Sequence, residues 1–171
     1  MAGTWTSPST QAAGATITNT IWNRDLTENM KAVGQPPRAL AKLSVNQSIA
    51  NNTETTLALA SLDFSDQVNL SSNLLVITKA GVYLATLGVL WDANTTGTRY
   101  VYIRQNSVTN RGGSSMPAAP TGGVQTLQIV TCYLNCAVND TIEGRVYQSS
   151  GGALNVNASA PTYLGCHLVS Y

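Results

Sequence analysis

The chain has 171 residues, 43% of them hydrophobic, which suits one globular domain of ordinary size with a short appendage. Its net charge is +1 and no basic run occurs, which excludes a non-specific electrostatic grip on nucleic acid or on an anionic membrane surface. No stretch approaches the roughly 20 apolar residues of a membrane-spanning helix, so membrane insertion is not expected.

Charged residues are only 10% of the chain, against about 25% in typical soluble domains. Ser, Thr, Asn and Gln fill the deficit. Uncharged polar groups cost less to desolvate than Lys or Glu, so such a surface suits contact with other copies; a low-charge extracellular monomer is the alternative. Met1 to Gly14 has neither the basic start nor the apolar stretch of a secretory signal, which weighs against that alternative.

Met1 to Ala15 shows no period of 2.0 or 3.6 and reads as an extended arm. Trp5 is out of place in a free tail and is a candidate anchor in a partner's groove. Thr18 to Val33 reads as a short α-helix, capped by Thr18 or Asn19 and closed by Gly34 and the Pro36-Pro37 pair. Trp22, Leu26, Met30 and Val33 form one apolar stripe on it. A helix this short is marginal alone, so the stripe is expected to bury against sister helices or a particle; Trp22, Leu26 and Met30 join Trp5 as candidate anchors.

From Arg38 the period is 2. Leu40 to Val45, Thr53 to Ala60 and Leu74 to Ile77 read as strands, followed by Gly81 to Trp91. That last segment is apolar on both faces: Tyr83, Ala85, Leu87, Val89 and Trp91 on one, Val82, Leu84, Thr86, Gly88 and Leu90 on the other. In a sandwich one face meets the core. The other then needs a cover, which a neighbouring subunit can supply.

Arg99 to Gln105 alternates, and Arg99, Tyr100, Tyr102 and Arg104 are read as an outward aromatic and cationic face, a candidate for binding a surface sugar or protein. Ser107 to Gly123 reads as a long loop. Val124 to Asn135, Thr141 to Tyr147, Ala153 to Asn157 and Thr162 to Ser170 complete about eight to ten strands with tight turns, as in a sandwich or jelly roll.

No catalytic constellation emerges. The only histidine is His167, on the closing strand, and the carboxylates give no converging pair, so no enzyme is expected, and an enzyme acting on cell-wall polysaccharide is the least favoured reading. Cys132, Cys136 and Cys166 fit neither a disulfide framework nor zinc spacing and are expected as free thiols. No phosphate loop or dinucleotide fingerprint is present; no cofactor or metal is expected.

Ala80-Gly81-Val82-Tyr83 with Val89, Trp91, Gly97, Arg99, Ile103 and Asn106 resembles the central hairpin of the complement-globular-head and tumour-necrosis-factor-like family. So do Asn139-Asp140-Thr141-Ile142 with Val146, Gln148, Ser149, Gly151, Leu154 and Val156, and the closing Tyr163-Leu164-Gly165-Cys166-His167-Leu168. The match covers about Arg38 to Tyr171. Thr4-Trp5-Thr6 and Ile21-Trp22-Asn23-Arg24-Asp25-Leu26 with Asn29 and Lys31-Ala32-Val33 resemble the opening of small phage virion proteins.

The resemblances imply residues 1–37 as an attachment or trimerisation segment and 38–171 as a mainly β, antiparallel jelly-roll sandwich. They imply a homotrimeric knob on a bacteriophage particle, as capsid decoration, head fibre or minor tail protein, with other virion proteins and a host-surface glycan or protein as partners. A secreted binding module is the alternative. The doubly apolar strand and the closing strand nominate Tyr83, Leu87, Val89, Trp91, Tyr163, His167 and Tyr171 as the trimer contact.

Overall fold

A computed structural model describes residues 5–118, 122–158 and 162–171. Met1 to Thr4 of the expected arm and residues 119–121 of the expected long loop lie outside the described residues.

The helix forms where the stripe places it, as α1 (Asn19–Trp22), a π-helical stretch (Asn23–Glu28) and α2 (Asn29–Gly34). Thr18 is extended and its hydroxyl accepts from the Ile21 N–H, a normal N-cap. The following chain alternates into thirteen strands among the described residues. They are β1 (Arg38–Leu43), β2 (Gln47–Ile49), β3 (Thr55–Thr56), β4 (Leu59–Asp66), β5 (Val68–Ser71), β6 (Leu74–Ile77) and β7 (Gly81–Trp91). Then come β8 (Thr98–Gln105), β9 (Thr109–Pro117), β10 (Thr126–Cys136), β11 (Thr141–Gln148), β12 (Leu154–Val156) and β13 (Tyr163–Ser170).

All pairings are antiparallel. The first sheet runs β2-β12-β7-β13-β1-β4, with β10 on the other side of β7; the second runs β5-β6-β11-β8-β9, with β3 also on β11. Neighbours distant in sequence, such as β1 with β13, make the chain wrap rather than meander, as a jelly roll requires.

The core lies between the sheets. From the first come Ala39, Ala41, Leu87, Val89, Trp91, Leu134 and Leu164; from the second, Leu75, Ile77, Val101, Ile103, Ile142 and Val146. Gly144 of β11 lets the layers close, because a Cβ there would sit 2.9 Å from Leu87 Cδ1. At one end Gly97 turns with φ +74°, and a Cβ there would collide with the Ser149 carbonyl.

Two expectations are corrected. The long loop read over Ser107 to Gly123 contains a nine-residue strand, β9, which pairs along all of β8. Tyr83, Leu87, Val89 and Trp91 do not face a neighbouring subunit: each is 0% exposed within the single chain. Their apolar surface drives them into the core, and the two that carry polar atoms are satisfied there: the Tyr83 hydroxyl donates to the Lys79 carbonyl and the Trp91 indole N–H to Gln128 Oε1, both at 2.8 Å. Trp5 stacks on Tyr171 of its own chain, ring centroids 6.2 Å apart, and stays 41% exposed.

The arm runs back along the helix. Thr6 N–H donates to Asn29 Oδ1 and Asn29 Nδ2 donates to the Thr6 carbonyl, both at 2.8 Å. The Ser9 N–H and hydroxyl both donate to Asp25 Oδ2. The bonded Arg24 guanidinium, then Ser9, hold the Asp25 carboxyl well below the usual carboxylate range. The helix docks on the sandwich through buried Ala32, and the Pro37 carbonyl accepts from Leu168 N–H.

Candidate functional site

Alternation along β7, β10, β13, β1 and β4 sends one set of side chains to the core and the other to the outside of the first sheet. Register aligns the outer set into rows. One row reads Tyr133, Leu84, His167, Arg38; the next reads Thr131, Thr86, Gly165, Leu40, Phe64. Ile129 and Tyr163 flank Gly88 in a third.

This surface is greasy and open. Phe64 is 49%, Ile129 54% and Tyr133 68% exposed. Val82, Leu84, Thr86 and Leu90, the second apolar face of β7, are half-buried between their strand neighbours. Leu40, Phe64, Leu84, Thr86, Tyr163 and His167 line a shallow groove across the sheet. Charges near it are few: Arg38 sits over the Phe64 ring at 5.8 Å, and Lys42 pairs with Asp63 at 2.5 Å. Tyr163 and His167 thus lie on the outer face of the first sheet, opposite the core side of Tyr83, Leu87, Val89 and Trp91 with which they were grouped from sequence, while Tyr171 sits at the end of the sheet against Trp5.

The helix offers a second unpartnered apolar strip. Trp22 is 54%, Leu26 40%, Met30 66% and Val33 69% exposed, and Trp22, Leu26 and Met30 line one shallow groove with Lys31 and Gln35. Trp5 lies on the neighbouring groove with Leu26 and Met30. The four residues read as anchors are thus contiguous.

The outside of the second sheet is built differently. Tyr100, Tyr102 and Arg104 of β8 face outward, opposite Tyr147, Arg145 and Glu143 of β11. Tyr100 and Tyr102 are near-parallel, centroids 6.3 Å apart, and Tyr147 meets Tyr100 edge-on at 5.5 Å. Glu54 Oε2 accepts from both Arg104 (2.9 Å) and Arg145 (3.1 Å). Burial alone would raise the Glu54 carboxyl, but the bonds and charges of the two guanidiniums outweigh it and hold it below its usual range. Burial, with the Glu54 charge second, raises the Tyr102 phenol, which stays neutral.

Arg99 does not belong to that surface. It is 1% exposed, on the inward parity of Val101 and Ile103. Its guanidinium donates to the Thr96, Thr98 and Asn94 carbonyls and to Asn94 Oδ1, holding the loop before β8. Burial lowers its pKa, and carbonyl dipoles rather than a carboxylate stabilise its charge. Sequence reading missed Tyr147, Asn52 and Glu54, which share a depression with Tyr100 and Tyr102. Parity within Thr141 to Tyr147 could have found Tyr147; nothing local signals that the loop before β3 folds over β8 and β11.

The thiols are inert by position. Burial pushes Cys166 up to about 12 and Cys136 up to about 11. Among the described residues no group of three or more His, Cys, Asp and Glu is placed to hold a metal ion.

Two antiparallel sheets wrapped in this order define a jelly-roll sandwich of the tumour-necrosis-factor-like type. A solved structure with this architecture is that of Eiger TNF from S. frugiperda, which superposes with a TM-score of 0.60 over 79% of this chain and 94% of that chain, at 10% sequence identity. At that identity the likeness is one of fold. No protein-family model matches the chain, and no curated protein does.

Proposed function

We propose that the chain is a non-catalytic structural subunit of a bacteriophage particle, a homotrimeric knob anchored by its N-terminal segment. In that role it stabilises the particle, as capsid decoration, head fibre or minor tail protein, and presents its outer surface to the host. The observation that carries the trimer is the outer face of the first sheet. An apolar surface this continuous is unfavourable in water and marks a contact site. Because it carries almost no charge, a second copy can meet it around a symmetry axis without like-charge repulsion.

The virion part rests on the phage-like spacing of residues 4–33 and on the exposed strip Trp22, Leu26 and Met30, a surface fit for an apolar site on another virion protein. Polyvalency completes the mechanism: three copies in each knob and many knobs on a particle multiply weak contacts.

Analytical ultracentrifugation tests the assembly. The expected mass is about three times 18.0 kDa, and a monomer at micromolar concentration overturns it. Replacing Trp22, Leu26 and Met30 together by Ser is expected to leave the trimer intact and abolish its incorporation into particles. Normal incorporation of that variant overturns the anchor.

A further inference from the structure

We propose that the tyrosine depression on the second sheet binds a neutral pyranose sugar. This rests on, and makes specific, the reading that the outer surface of the knob meets the host.

The ring positions follow from register. Tyr102 lies opposite Gly113 of β9 and Tyr100 opposite Ser115. A Cβ on Gly113 would come within 3.2 Å of Tyr102 Cδ1, so the glycine lets that ring pack closely against the strand. Tyr100 and Tyr102 stack within 18° of parallel, and Tyr147 meets Tyr100 edge-on at 72°, so three aromatic rings gather at the depression. The depression they line with Asn52 and Glu54 measures about 430 Å³, room for one or two sugar rings.

Polar groups finish the site. The Tyr147 hydroxyl donates to Asn52 Oδ1 at 3.0 Å, which fixes the amide and leaves its Nδ2 without a partner among the described residues. Glu54 uses Oε2 for both arginines, and its Oε1 is likewise unpartnered among the described residues. A donor and an acceptor two residues apart, beside a cluster of aromatic rings, match a pair of vicinal hydroxyls on a pyranose whose C–H face meets a tyrosine ring.

Charge selects the class. Arg104 and Arg145 are neutralised by Glu54 and Glu143, so no free cation is offered to a sialic or uronic acid. The depression is an open one rather than an enclosing aromatic cage, which disfavours a quaternary ammonium.

Saturation-transfer NMR on the full chain, with the methyl glycosides of glucose, galactose and N-acetylglucosamine at millimolar concentration, tests the site. The expected result is transfer to C–H protons of at least one glycoside, with affinity falling tenfold or more in Tyr100→Ala. Glu54→Gln releases the two guanidiniums and is expected to shift preference toward methyl glucuronide. Absence of transfer from all three glycosides, undiminished transfer in Tyr100→Ala, or tighter binding of choline overturns the proposal. A monomer that still binds glycoside would sink the trimer and keep this site; a trimer that binds none would do the reverse.

Discussion

The two sheets present outer faces made by the same alternation but finished in opposite ways. On the second sheet every outward charge has a partner in the chain: Glu54 bridges Arg104 and Arg145, and Arg145 lies 3.9 Å from Glu143. On the first sheet Phe64, Ile129 and Tyr133 have strand neighbours but no cover. One face has its charges met within the monomer; the other leaves large apolar side chains exposed. The difference teaches that strand alternation assigns a residue to a side of the sheet, while what lies beyond that side is set by cross-strand composition.

The largest test breaks that asymmetry. Placing Asp at both Phe64 and Ile129 is expected to convert the assembly to monomers, read as a fall to about 18.0 kDa in sedimentation. The monomer's own thermal midpoint should hold, because substitutions at exposed positions typically change stability by about 0.5 kcal/mol or less. An unchanged sedimentation mass would mean that the apolar face is not the contact.

A second test works on the satisfied face. Glu143 is buried, its Oε2 accepts from the Thr56 hydroxyl at 3.1 Å, and its Oε1 has no partner among the described residues. Arg145 is the cation beside it and also bonds Thr56 and Glu54. Arg145→Met leaves a buried carboxylate with one hydroxyl donor, and denaturant melts should show a loss of about 1–3 kcal/mol with the assembly mass unchanged. Adding Glu143→Gln should recover part of the loss, since the two residues act as a coupled pair. A fully additive double variant would show that Arg145 acts through Glu54 alone.

Much of the fold is legible in the sequence, and the reasons differ between elements. The limits of β7 follow from Gly81 and the polar turn after Trp91, and the helix start follows from Thr18; both are local signals. Strand β9 was hidden because Gly112-Gly113 and Ser114-Ser115 lack strand propensity. Packing demands those small residues: a Cβ on Gly112 would stand 3.0 Å from Cys132 Cβ of β10. The two apolar faces of β7 were also legible, but not which one is the core. Trp91 and Tyr83 carry polar atoms, which favours an interface reading from sequence alone. Only the distant Gln128 and the Lys79 carbonyl make their burial affordable. The tyrosine site was half legible, since Tyr100 and Tyr102 share a strand while Tyr147, Asn52 and Glu54 arrive by long-range register.

The smallest expected effect separates the two faces by pH. The folded state holds the Glu54 carboxyl below its usual range, because the arginine bonds and charges outweigh the opposing effect of burial. A depressed carboxyl contributes stability that is fully present above the unfolded value, about 4.3 for Glu, and is lost as pH falls through the folded value. Denaturant midpoints should therefore decline below about pH 4.5, and Glu54→Gln should flatten that decline. Some slope must remain, because Asp25, held down by Arg24 and Ser9, and Asp140 are also depressed. At Asp140 burial again acts upward and is outweighed by bonds from Asn106, the Ala137 N–H and Gln105 at the turn before β11. Adding Asp140→Asn should remove a further share. A decline that Glu54→Gln leaves untouched would place the acid-sensitive contact off the tyrosine face, and that face would lose its standing as the electrostatically closed one.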